Sequence, residues 1–499
     1  MRAECGVSHG MSDAMSVFSY SRRNFRNQSR TDERPKRRNE RAWPFIVATF
    51  LFMRLNAHCY TNISIIGCTQ SRRSSSALIA QLIGSSLTLA SYLRTHSRSL
   101  SMLILNAHPD HNAPLDSTDA AVLSAEATAE VERFLTYRRN HEPTHLRRLP
   151  GLARELGVAS IEIKDESTRL GLGSFKALGG SYAVIRLVLE EASRQLGKPV
   201  DIRDLHSPEV RHIAERMTVG CATDGNHGRS VAAGAELVGA KAAIFVHSGV
   251  SDERVEAIAK FGATMIRVNG SYDDSVAEAE RVCDERGWIV VSDTSWPGYE
   301  RIPSLVMQGY TAMLGEAVRD MPRPPTHVFV QAGVGGLAAG VAGYFAGVYG
   351  PQRPKFIVVE PELAACVFES AKAGHTVKVA QGEATIMAML ECYEPSLVGW
   401  RILSRCADAF MTLREEDAID AMRRLASPVN NDPAIVSGES GCAGLAGLIA
   451  ALADPNAKRA IGLDENSRVF VINTEGATDQ ARYEAIVGRK PSEVLSVPA

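Results

Sequence analysis

From Thr118 onward the chain alternates short apolar runs with amphipathic stretches, and this alternation constrains its fold more than any other feature. The runs Ile161–Lys164, Thr218–Thr223, Lys241–His247, Thr264–Val268, Trp288–Ser292, Thr326–Val330, Lys355–Val359 and Arg468–Ile472 predict strands. Between them, helical spacing of apolar residues predicts helices over Lys176–Ala192, Asn226–Val238, Arg254–Phe261, Asp273–Arg286, Ser304–Arg319 and Gly336–Tyr349. Strands joined by helices of this length imply βαβ units, hence an α/β fold with parallel sheets. Uninterrupted apolar strands such as Ile289-Val290-Val291 suit sheets covered on both faces.

The length, 499 residues, allows two or three domains. A net charge of -2 gives no ground for a nucleic-acid partner or a membrane surface. Nine cysteines are scattered, without a CxxC pair or a zinc-type cluster, so no metal site is expected and the thiols read as small buried hydrophobes of a reducing, cytoplasmic compartment. Residues 1–101 differ in kind, with fourteen arginines, one lysine and five acids. Their apolar run Trp43–Met53 is too short to span a bilayer, and it matches a signal segment poorly. The expectation is a disordered basic tail or sequence upstream of the true start, with ordinary globular composition from Met102.

Several motifs carry chemistry. Lys176 follows the Gly173-Ser174-Phe175 turn at a helix start, where the helix dipole disfavours a cation. Alone it reads as a solvated surface lysine; as a nucleophilic amine it forms a Schiff base with an aldehyde cofactor. Gly333-Val334-Gly335-Gly336-Leu337 enters a helix, where converging backbone N–H groups bind a phosphate. Thr223-Asp224-Gly225-Asn226-His227-Gly228, Asp293-Thr294-Ser295-Trp296 and Asn473-Thr474-Glu475-Gly476 stand at strand ends, where parallel sheets bind ligands. Asn226 suits a ring hydroxyl, Thr474 suits a pyridine nitrogen, and Asp224 caps the helix, places a carboxylate beside the cofactor, or does both. The glycine loop with Glu360 at the next strand end also permits a dinucleotide reading, but that leaves Lys176 without a role. An aldehyde and a phosphate on one cofactor point to pyridoxal 5'-phosphate.

Further motifs sharpen this. They are K-D-E-S-x-R-x-G-L-x-x-F-K at Lys164–Lys176, T-D-G-N-H-G-R at Thr223–Arg229, D-T-x-W at Asp293–Trp296, M-Q-G-Y at Met307–Tyr310, A-T-I-M-A at Ala384–Ala388, G-W-x-I-L at Gly399–Leu403 and S-G-E-S-G at Ser437–Gly441. Over about Arg147–Val487 the chain resembles the fold-type II pyridoxal phosphate enzymes, and within them the diaminopropionate ammonia-lyases. The resemblance implies two parallel-type α/β domains with the cofactor in the cleft between them. The expected division is 102–184 plus 294–499 as the large cofactor-binding domain and 185–293 as a small one, in a homodimer. It implies Lys176 as the Schiff-base lysine and Lys176, Asp224 and Asp293 as catalytic residues. Phe175, Asn226, Gly333, Val334, Gly335, Gly336, Leu337 and Thr474 are then the cofactor-binding residues. The substrate is a small amino acid, 2,3-diaminopropionate, which loses its β-amino group as ammonia, the aminoacrylate left then hydrolysing to pyruvate and a second ammonia; a serine/threonine dehydratase or another β-substituted-alanine lyase is the alternative. Lys176 and Asp224 are expected as bases on opposite faces, and Asp293 as a partner for the β-ammonium group or an aid to proton transfer. Departures from the family pattern stand at Ser230, Glu391, Tyr393, Cys442 and Ala477, with Glu391 and Tyr393 expected near the substrate mouth.

Overall fold

The structure, a computed structural model, describes residues 102–138, 141–223 and 225–496. The expectations for residues 1–101 and for Asp224 lie outside the described residues. The chain divides between Arg98 and Ser99, and every element below belongs to the unit Ser99–Ala499.

The strands are β1 (Leu103–Leu105), β2 (Leu146–Arg148), β3 (Ser160–Asp165), β4 (Thr218–Ala222), β5 (Lys241–His247), β6 (Thr264–Val268), β7 (Ile289–Val290), β8 (His327–Gln331), β9 (Lys355–Pro361), β10 (Ala409–Leu413) and β11 (Arg468–Asn473). They form a seven-stranded sheet, ordered β1-β10-β9-β8-β11-β3-β2, and a four-stranded sheet, ordered β6-β5-β4-β7. All pairings are parallel except at the edges of the larger sheet, where β1 and β2 run antiparallel to their neighbours. The central strands β8 and β10 are buried throughout, as continuous apolar runs in a sheet covered on both faces require.

Four helices position the site: α1 (Lys176–Leu196), α2 (Asn226–Val238), α3 (Arg301–Asp320) and α4 (Gly336–Tyr349). Helix α1 packs against both α2 and α3. Small residues make the approach close. A Cβ on Gly179 would stand 2.4 Å from a ring carbon of Tyr310, and one on Gly234 would stand 2.8 Å from the Ser181 backbone. Ser230, one of the departures, fills this seam: its hydroxyl accepts from the Ser181 N–H at 3.0 Å, and the Ser181 hydroxyl donates to the Ser230 carbonyl at 3.0 Å.

Half of the Lys164–Lys176 motif is architecture. Lys164 and Arg169 are fully buried with Glu166 and Glu316. Lys164 Nζ donates to Glu316 Oε2 at 2.7 Å, and Arg169 donates to Glu166 and Glu316 at 2.6–2.9 Å. Two cations and two carboxylates thus neutralise one another in the interior and bolt β3 to α3.

Candidate active site

Strand order explains how distant segments meet. In the larger sheet β8, β11 and β3 are consecutive neighbours, so their carboxyl ends lie side by side. These ends deliver the glycine loop, Thr474-Glu475 and the segment leading to Lys176. In the smaller sheet β4 and β7 are neighbours, and their ends deliver Thr223, Gly225, Asn226 and Asp293. The five segments line one cleft, whose wall includes Phe175, Lys176, Asn226, Asp293, Gly333–Leu337, Thr474 and Glu475.

Lys176 is the first residue of α1, and its approach is held by β11. The Phe175 N–H donates to the Thr474 carbonyl at 3.0 Å, and the Gly476 N–H donates to the Gly173 carbonyl at 3.0 Å. The Phe175 ring meets Tyr310 edge-on, centroids 4.8 Å apart. Lys176 Nζ lies 2.8 Å from Asp293 Oδ2. Burial pushes the Asp293 carboxyl up, but the Lys176 ammonium, then His227 and the direct hydrogen bond, outweigh it and hold the group well below the usual carboxylate range. His227 Nε2 bonds the Val291 carbonyl at 2.8 Å, leaving Nδ1 3.9 Å from the same carboxylate. Burial lowers the pKa of His227, more than Asp293 raises it. The imidazole is therefore neutral, with its proton on Nε2 toward the carbonyl.

The glycine loop is shaped for close approach. Gly335 has φ +94, a conformation that side chains rarely adopt, and a Cβ on Gly333 would stand 2.9 Å from Cys392 Sγ. The Ser396 N–H donates to the Val334 carbonyl at 2.8 Å and fixes the loop from outside. The first N–H groups of α4 have no intrahelical acceptor and carry the positive end of the helix dipole, the standing requirement of an anion site.

The groups at the other end suit a pyridine ring. Gln331 Nε2 is surrounded by oxygens, the carbonyls of Ser440, Gly441 and Ile472 at 2.9–3.2 Å and Thr474 Oγ1 at 2.9 Å. Thr474 therefore accepts from Gln331, and its own hydroxyl hydrogen is left to donate, as an unprotonated ring nitrogen requires. Asn226 stands at the start of α2, where Thr223 Oγ1 accepts from the Gly225 and Gly228 N–H groups at 3.0 Å each. The Thr223 hydroxyl thus satisfies two backbone N–H groups at the start of this helix. Phosphate cradle, lysine amine, ring-hydroxyl partner and ring-nitrogen donor fit pyridoxal phosphate.

The dinucleotide alternative fails on Glu360. Its carboxylate accepts the Val367 and Phe368 N–H groups at 2.9 and 2.6 Å, which caps a helix and leaves it no ribose to meet. Glu391 and Tyr393, joined by a 2.7 Å hydrogen bond from the tyrosine hydroxyl, line a second cavity that shares Tyr272, Val334 and Cys392 with the cleft. His227, Tyr310, Gln331, Ser440 and Glu475 also line the cleft, though the sequence reading gave them no role. His227, Tyr310, Ser440 and Glu475 lie inside the sequence motifs; Gln331 has only its place before the glycine loop as a signal.

Comparison with known proteins agrees with this geometry. The family described as "Pyridoxal-phosphate dependent enzyme" matches residues 137–475. The chain is 43% identical to diaminopropionate ammonia-lyase of Escherichia coli strain K12 over 354 residues, 70% of this chain and 87% of that protein. It is 37% identical to the enzyme of the same name from Salmonella typhimurium over 378 residues, 74% and 93% of the two chains. The crystal structure of the Escherichia coli enzyme in complex with an aminoacrylate-PLP azomethine reaction intermediate superposes with a TM-score of 0.70 at 39% identity, covering 78% of this chain and 97% of that one. The chain belongs to the pyridoxal-phosphate dependent enzymes, and among them to the diaminopropionate ammonia-lyase family.

Proposed function

We propose that this protein is a carbon–nitrogen lyase that uses pyridoxal phosphate to eliminate the β-amino group of 2,3-diaminopropionate as ammonia, water then converting the remaining enamine to pyruvate and a second ammonia. The observation that carries the reading is the meeting of Lys176 Nζ with Asp293 Oδ2 at 2.8 Å between a glycine-loop anion site and a hydroxyl free to donate. Lys176 would hold the cofactor's aldehyde, the N-terminus of α4 its phosphate, Thr474 its ring nitrogen and Asn226 its ring hydroxyl. When bound, the cofactor supplies the electron sink that stabilises negative charge at the substrate Cα.

The chain's own residues handle the protons. Lys176, once its amine is released, takes the Cα proton on one face, and Asp224 takes it on the other. Asp293 stays ionised at neutral pH and holds a cationic nitrogen, that of Lys176 in this structure and the β-ammonium of the substrate during turnover. A carboxylate suits an amino leaving group; a hydroxyl leaving group needs no such partner. Glu391 and Tyr393 at the mouth meet the substrate as it enters. We further infer a large domain of 102–184 plus 294–499 carrying the seven-stranded sheet, and a small one of 185–293 carrying the four-stranded sheet. The scattered cysteines and the family likeness support a cytoplasmic homodimer serving amino-acid catabolism.

Pyruvate release from D- and L-2,3-diaminopropionate, beside L-serine and L-threonine, tests the reading. Turnover is expected on diaminopropionate, and Lys176→Ala is expected to abolish it together with the visible band of the bound cofactor. Turnover confined to serine or threonine would keep the cofactor and overturn the substrate.

A further inference from the structure

The ring-facing amide of Asn226 has a second neighbour that the reaction leaves unused. Asn226 Nδ2 donates to Glu475 Oε2 at 2.6 Å, and both side chains are buried in the wall of the cleft. Glu475 is held by its backbone. Its carbonyl accepts the Gly438 N–H at 3.1 Å, and its backbone bridges Ser174 next to the lysine turn. We propose that Glu475 is a positioning residue for Asn226, its charge state deciding which atoms of that amide face the cofactor ring. The proposal rests on the reading of the cleft as a pyridoxal phosphate site.

The argument is one of donors and acceptors. An ionised carboxylate only accepts, so Asn226 must turn its NH₂ toward Glu475, and the second N–H remains for an oxygen on the ring. A protonated carboxyl donates as well, so it tolerates the amide turned over, with Oδ1 toward Glu475. The groups facing Glu475 set when this changes. Glu439 stands nearby with its carboxylate against Arg482 at 3.3 Å and with Asp479 beyond; Arg254 and Arg229 approach from their helices, Lys176 from across the cleft, and the Thr478 hydroxyl lies 3.5 Å away. Burial, then the charge of Glu439, raises the Glu475 carboxyl to about 7, against the smaller opposing pull of Asn226, Arg254 and Lys176. Burial also raises the Glu439 carboxyl, so the protonation of each of the two carboxyls depends on the other.

The test is a pH titration with two readouts, the affinity of the cofactor-free full-length protein for pyridoxal phosphate and the visible band of the loaded protein. Wild type is expected to show a one-proton transition centred near pH 7 in both. Glu475→Gln, which still accepts from Asn226 but cannot ionise, is expected to lose that transition. Glu439→Gln, which removes the neighbouring like charge, is expected to move its midpoint down by about one pH unit. Glu439→Gln also serves if the first variant does not fold. An unchanged midpoint in either folded variant overturns the proposal. A wild type that binds the cofactor with no transition overturns the proposal alone. A wild type that binds no cofactor at any pH overturns the underlying reading as well.

Discussion

Asp293 has to remain a carboxylate in a place where burial favours the neutral acid, and the neighbouring Lys176 ammonium is what keeps it ionised. Its folded pKa lies below the unfolded value. The stability it contributes is therefore complete above the ordinary carboxylate range and is lost as pH falls through the lower, folded value. Asp293→Asn is expected to remove this acid-side slope from unfolding curves of the cofactor-free protein. Turnover should fall by about 10²–10³-fold, because the nitrogen it holds loses its partner. A variant whose turnover stays within a factor of two would take Asp293 out of the reaction.

At the scale of elements, the cluster of Lys164, Glu166, Arg169 and Glu316 joins β3 to α3 with no exposed member. Removing one partner strands a buried charge, so Glu316→Gln is expected to cost about 3–5 kcal/mol of folding free energy in a denaturant titration. Its effect on the KM of folded protein should be small, since none of the four lines the cleft. The same elements show where sequence reading succeeds. The predicted bounds of α2, β5, β6 and α4 coincide with the observed ones, because apolar periodicity and flanking glycines define them. The short strands β1 and β2 pass unseen, since three residues at a sheet edge carry no period, and β10 was not singled out either. The run Trp288–Ser292 shortens to Ile289–Val290, the residues in register with Val219 and Gly220 of β4, and ends with the Val291 N–H on the Gly220 carbonyl. In the cleft, the lysine turn, the glycine loop and the strand-end motifs were legible as motifs. Gln331 and Glu475 were not assigned, because their importance lies in what they hydrogen-bond, Thr474 and Asn226, and that depends on strand order.

For the molecule as a whole, both sheets and all described parts of the cleft fall between residues 102 and 496. The family match covers residues 137–475 and residues 1–101 differ in composition, so a protein beginning at Met102 is expected to match the full chain in thermal midpoint and in pyruvate release. A clear loss in either would give residues 1–101 a part in the working enzyme. Within this unit the strand order also sets a timetable. Asn473 Nδ2 bonds Asp165 Oδ1 at 2.9 Å across a separation of 308 residues, and β8, from the middle of the chain, completes the trio with β11 and β3. Closing such long loops is slow, and no local fragment assembles these strand ends by itself. During refolding, helical circular dichroism is expected to recover first, and capture of pyridoxal phosphate only in the last phase. The colour of the cofactor would then be a clock for the completed chain, marking the moment when β3 and β11, far apart in sequence, have found each other.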